Sequence, residues 1–148
     1  MPKIAKGNGG AVEVLNQIVE HELAGAVRYT QYSLMIFGHA RIPIMSWMQQ
    51  QAQEALAHAT QAGEEVTSRG GRVSLGIGKL VGSHHAHVDE MLGELVEHER
   101  GGIGLYERLL EIAAGKDVSL EEYARAMIRA EEIHVSEILK MLKKRGDA

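Results

Sequence analysis

The stretch from Leu15 to Tyr29 is written a second time from Leu92 to Tyr106, with seven of fifteen positions identical, "VEHE" at Val19–Glu22 and Val96–Glu99 among them. In both copies the apolar residues recur three and four apart, the spacing that lays one stripe along one face of an α-helix. Glu22 lies seven residues after Leu15 and seven before Tyr29, and Glu99 stands in the same way between Leu92 and Tyr106. Seven residues are close to two helical turns, so each carboxylate falls in the middle of an apolar stripe. A chain with this pattern must pack two such helices and also neutralise the acids it carries into its core.

The remaining periodicity fills out an all-α bundle of four helices. A first helix is expected over 11–38, with Val12, Leu15, Ile18, Val19, Ala26, Tyr29 and Ile36 inward, ending before Pro43. A second, over 44–69, turns Met48, Ala52, Ala55, Ala59, Ala62 and Val66 to one side and closes at Gly70-Gly71. Residues 71–82 hold four glycines and no periodicity, so they read as a long surface connection. A third helix is expected over 83–114 and a fourth over 119–145, the latter opened by a capping box at Ser119-Leu120-Glu121-Glu122. Short, long, short connections describe two antiparallel hairpins joined by a crossover, in a single domain 1–148 whose residues 1–10 form a flexible start.

Composition narrows the chemistry. Without cysteine, any metal must be held by nitrogen and oxygen, and disulfides and thiolate sites are excluded. A net charge of −4 with no basic tract gives no support for a nucleic-acid partner. No apolar run nears the ~20 residues of a membrane span, and the "MPKIAK" start is not a signal peptide, so a cytoplasmic location is expected.

Glu131 and His134 lie three apart on the inward face of the fourth helix and add to the buried ionisable groups. A salt-bridge network drawing on Arg28 and Arg129 would neutralise them, and so would metal ions; a His three after a Glu is a ligand spacing and favours metal. Carboxylate-rich sites with a few imidazoles suit iron or manganese. Glu20, His21, Glu97 and His98 are offset from the stripe and are expected at the surface. His84, His85 and His87 are expected as solvated imidazoles, and Trp47 as an exposed residue suited to a subunit contact.

"LNQIVEHELAGAVRY" at 15–29, "HATQAGEEVTSRGG" at 58–71 and "AEEIHVSEILKML" at 130–142 resemble the ferritin-like superfamily, and within it bacterioferritin, over nearly the whole chain. The resemblance implies a four-helix di-iron centre, with one Glu from each of two helices and Glu-x-x-His from each of the other two. Carried over residue by residue, Glu22, Glu99, Glu131, His58 and His134 become metal ligands. The position three before His58 is Ala55, so Glu54 is the nearest carboxylate that could complete the set. With Glu22 shared between the ions, the one near Glu99, Glu131 and His134 is expected to bind more tightly than the one near His58. Tyr29 and Tyr106 are expected in the core, near enough to hydrogen-bond a ligating carboxylate.

The same resemblance implies Fe(II) oxidation by oxygen or peroxide, in iron storage or detoxification, with non-haem iron as the cofactor and manganese or zinc as substitutes. Leu56 stands where bacterioferritins carry the haem-ligating methionine, so no haem is expected. A homo-oligomer, dimer or larger, is implied, and the chain stops without the short fifth helix that helps close the larger cages. Two alternatives stay open: a di-iron oxidase or peroxidase acting on another substrate, and a non-catalytic scaffold with an incomplete site.

Overall fold

The computed structural model describes residues 9–80, 84–144 and 146. Four helices, α1 (Gly9–Leu34), α2 (Arg41–Ser68), α3 (Val88–Ala113) and α4 (Val118–Leu142), account for its regular structure, with no strand among the described residues. α1 packs along α2, α3 packs along α4, and the two hairpins meet where α1 lies against α3. α2 and α4 stand further apart, so the bundle is tight on one side and open on the other.

The helix ends differ from the expected ones for local reasons. α1 stops at Leu34 rather than 38, because the Met35 N–H turns back to the Tyr32 carbonyl and Gly38 takes a φ of 88°. α2 begins at Arg41, which places Pro43 in its first turn, where a missing N–H breaks no helical bond. α3 begins only at Val88, since His87 is extended, with φ −110° and ψ 139°. The cap of α4 is Asp117 rather than Ser119: its Oδ1 accepts from the Leu120 N–H at 3.0 Å, and Glu121 reaches back to the Gly115 N–H at 2.9 Å. A charged cap on a turn already formed at Gly115 (φ 73°) leaves the expected box unused.

The connection between the hairpins is strapped to α1. Asn16 donates to the Arg72 carbonyl and accepts from the Ser74 N–H, both at 2.9 Å, while the Ser74 hydroxyl donates to Glu20 at 2.8 Å. The Gly78 N–H donates to the backbone carbonyl of Glu20 at 2.8 Å. A Cβ on Gly78 would stand 2.8 Å from that carbonyl oxygen, so glycine is required for so close an approach.

Inside, one apolar cluster gathers Leu15, Ile18, Val66, Leu109, Leu120 and Met127. A second gathers Tyr29, Met48, Leu92, Leu95 and Ile138. Along each of α1, α3 and α4 an inward Glu falls between residues of the two clusters, which leaves a polar layer clamped between apolar ends. Trp47 belongs to the second cluster rather than to an exposed surface, edge-on to Tyr29 with ring centroids 6.0 Å apart.

Candidate metal centre

The polar layer brings together five of the six residues singled out as ligands. Glu22, His58, Glu99 and Glu131 are buried, Glu131 to 2% exposure, and His134 nearly so. Two groups form, Glu22 with His58 and Glu131, and Glu99 with Glu131 and His134, the candidate ligand atoms of each lying within 4.8 Å of one another. The carboxylate common to both is Glu131, not Glu22. Its Oε1 stands 3.0 Å from His58 Nδ1 and its Oε2 3.4 Å from His134 Nδ1, so its two oxygens serve opposite sides. Glu22 lies 3.6 Å from His58 and Glu99 3.9 Å from His134.

Glu54 falls outside both groups. It is the more exposed acid, at 38% for the side chain, and its Oε1 faces the outer ring nitrogens, 3.2 Å from His134 Nε2 and 3.8 Å from His58 Nε2. Both histidines therefore turn Nδ1 inward and Nε2 towards one carboxylate. Ala55, buried beside them, supplies no oxygen. As Ala55 is to His58, so Glu131 is to His134, three residues apart on its helix. The missing acid is thus the counterpart of Glu131, the carboxylate common to both groups.

The protonation equilibria follow from this crowding. Burial alone would lower His58, but hydrogen bonds to Glu131 and Glu22 push it up to about 10. His134 is likewise opposed by burial and raised by Glu131 and Glu99 to about 11. Burial, and then Glu131, pushes the Glu99 carboxyl up, whereas Glu131 is held down despite burial by hydrogen bonds from Glu99, His134 and His58. Two imidazolium groups thus stand in for cations. Arg28 does not take that part: it donates to Glu94 at 2.7 Å, to Gln31 and to Tyr32, and Arg129 is exposed.

The tyrosines cross between helices. Tyr29 of α1 donates to Glu99 of α3 at 2.6 Å, and Tyr106 of α3 donates to Glu22 of α1 at 3.0 Å. Burial is the largest cause that raises both phenols, and the nearby acids add to it. Hydrogen bonds of this kind fix the rotamer of a carboxylate and leave its other oxygen for a metal.

Sequence reasoning placed His21 and His98 at the surface, and the structure corrects this. Their rings stack at 4.0 Å with 5° between planes, both largely withdrawn from water, and the Nε2–H of His21 donates to the His98 carbonyl at 2.9 Å. Burial lowers His21 and takes His98 down to about 4, so the stacked rings are neutral. His85 is also not a free imidazole: it lies 2.9 Å from Glu94 and 3.2 Å from Glu90. The signal for the stack was present in the repeat, in a His followed four residues later by a Gly at His21/Gly25 and at His98/Gly102.

The model of the ferritin-like domain matches residues 12–145. The chain belongs to the ferritin-like family. Bacterial non-heme ferritins from two strains of Bacteroides fragilis, 638R and YCH46, are each 25% identical to it over 138 residues, covering 90% of this chain and 87% of theirs. Its fold is shared with ferritin-like di-iron carboxylate proteins of Bacillus anthracis str. Ames, with a TM-score of 0.86 at 22% identity over 94% of this chain and 99% of that one. An open-pore ferritin of Archaeoglobus fulgidus superposes at 0.80, with 24% identity over 90% of this chain and 82% of its own. The dodecameric thioferritin of Bacteroides fragilis, a bacterioferritin-related protein, superposes at 0.82, with 20% identity over 89% and 83%.

In this ferritin-like chain the donor set fits non-haem iron. Three buried carboxylates and two imidazoles offer hard oxygens and borderline nitrogens around a shared acid, and a divalent ion that displaced the imidazolium protons would balance the carboxylates in their place. Leu56 is exposed on the outer face of α2 and lines an apolar groove of about 550 Å³ with Leu23, Val27, Leu34 and Ile77. No helix of the described residues is long and apolar enough to cross a membrane.

Proposed function

We propose that this protein takes Fe(II) as its substrate at two positions within the bundle and oxidises it with dioxygen or peroxide, in the cytoplasm, for iron storage or detoxification. The observation that carries this reading is the geometry of Glu131, whose two oxygens face two histidines in two groups of equal composition. Glu22 and His58 would hold one ion, Glu99 and His134 the other, and Glu131 would span both. Manganese or zinc would occupy the same donors as substitutes.

Anionic oxygen ligands favour Fe(III) over Fe(II), so the three carboxylates drive the loss of an electron from each ion. Two Fe(II) give up two electrons, which with two protons convert one dioxygen to hydrogen peroxide. Tyr29 and Tyr106 hold Glu99 and Glu22 in place, and Glu54 steadies the outer nitrogens of both histidines. The apolar groove across α1 and α2 supports a homo-oligomer in which a second copy covers that face.

Anaerobic calorimetric titration of Fe(II) into metal-free protein, followed by oxygen-uptake measurement, tests the reading, with Glu99→Ala as control. Two ions per chain, one dioxygen consumed per two ions, and loss of fast uptake in the variant are expected. One ion or none, with oxidation no faster than in buffer, would overturn it in favour of a ferritin-like scaffold.

A further inference from the structure

The stacked histidines lie where α1 meets α3, and each sits over a glycine of the facing helix. A Cβ on Gly25 of α1 would stand 2.6 Å from His98 Nε2, and one on Gly102 of α3 would stand 3.2 Å from His21 Nε2. The arrangement is reciprocal: each copy of the repeat supplies one ring and one recess. The rings lie face to face at 4.0 Å, and the His21–His98 carbonyl bond locks their register. Neither ring is among the candidate ligands, yet each is the immediate neighbour in sequence of a carboxylate that is, Glu22 or Glu99.

We propose that the His21–His98 stack, seated in the recesses of Gly25 and Gly102, is the spacer that fixes how far apart α1 and α3 hold Glu22 and Glu99, and thereby the separation of the two metal positions. The inference rests on the reading of a two-ion site. Its physical ground is the absence of an acid at Ala55. A pair of shared carboxylates would tie two ions at a set distance from within, but Glu131 alone leaves that distance to the helix frame. Where α1 meets α3 the frame is a stack of two flat rings, each seated against a glycine of the facing helix and held in register by the His21 Nε2–H bond to the His98 carbonyl. His21 and His98 act through the carboxylates beside them and are positioning residues.

The test uses the full-length protein, with Co(II) as a probe whose absorption bands and magnetic coupling report ligand geometry and inter-ion distance. His98→Ala removes one ring, and His98→Phe restores a flat ring without a ring nitrogen. The wild type is expected to bind two coupled Co(II). His98→Ala should change the coupling and weaken the second ion by about tenfold or more, and His98→Phe should recover most of both. Unchanged coupling and affinity in a folded His98→Ala variant would overturn the spacer, and so would failure of His98→Phe to recover what alanine lost.

Crystal structures of the metal-free wild type and His98→Ala provide a second measurement that needs no bound ion. A change in the Glu22–Glu99 separation supports the spacer, and an unchanged separation refutes it. Should the wild type bind fewer than two Co(II), the two-ion reading fails by itself, while the metal-free comparison still decides whether the rings set the gap.

Discussion

On α1 and α3 every residue of the centre has a counterpart: Glu22 and Glu99, His21 and His98, Gly25 and Gly102, Tyr29 and Tyr106, each tyrosine bonded to the other helix's acid. On α2 and α4, His58 answers His134, but Ala55 answers Glu131, and Glu54 serves both histidines from outside. The symmetric wall is the tightly packed one, and the asymmetric wall is the open one. Packing explains the difference. Two helices in close contact must match residue for residue, whereas two held apart can lose an acid without losing their fit.

The largest effect should come from striking the one acid that the open wall retains. Glu131→Ala removes a donor from both groups, and Fe(II) titration should show binding at both positions weakened on the order of 100-fold or more. It also leaves His58 and His134 short of a buried partner, a loss of about 3 kcal/mol in metal-free stability, measurable by chemical denaturation. Retention of one strong ion would show that the groups do not share Glu131.

Ala55→Glu would make the open wall symmetric. A second inward acid beside His58 should tighten Fe(II) binding about tenfold, while adding an uncompensated buried carboxylate to the metal-free form. Calorimetry should therefore find a lower Tm without metal and a larger rise on loading. A lower Tm in both states would mean that the position has no access to the ions.

The histidines of the open wall also give a pH signature. Their folded values of about 10 and 11 lie above the ordinary 6.5, so their contribution to stability is complete below about 6.5 and is lost as pH rises through 10 to 11. Metal-free protein should lose Tm across that interval. Protein loaded with metal, whose imidazoles are already neutral ligands, should not share the loss. The smallest effect belongs to the closed wall: Tyr29→Phe and Tyr106→Phe should each cost about 1.5 kcal/mol and agree closely, and a wide difference between them would deny its symmetry.

Much of this architecture is legible in the amino-acid sequence, because the period of the apolar residues and the position of an acid in it are local facts. The stripe of Met48, Ala52, Ala55, Ala59, Ala62 and Val66 is buried as expected, and Glu22, Glu99 and Glu131 lie inward as their spacing required. The features that escape such a reading are relational. Which acid is shared depends on how α4 is rotated against α2, and that is a matter of packing rather than of period. His21 and His98 sit off their own stripes, and each is shielded by the other's ring and by glycines on the opposite helix. Arg28, which the sequence offers as one possible counter-ion for the centre while favouring metal, pairs with Glu94, which has no special place in the sequence pattern.

The strap that crosses from one hairpin to the other keeps Leu75 wholly in solvent, at 103% exposure. A single protease cut there would leave each hairpin intact and would separate the ligands into two sets, Glu22 and His58 on one fragment, Glu99, Glu131 and His134 on the other. Iron affinity would then become part of an association constant between fragments: whatever binds the joined centre and not its halves would hold the two pieces together, and a chelator would let them part.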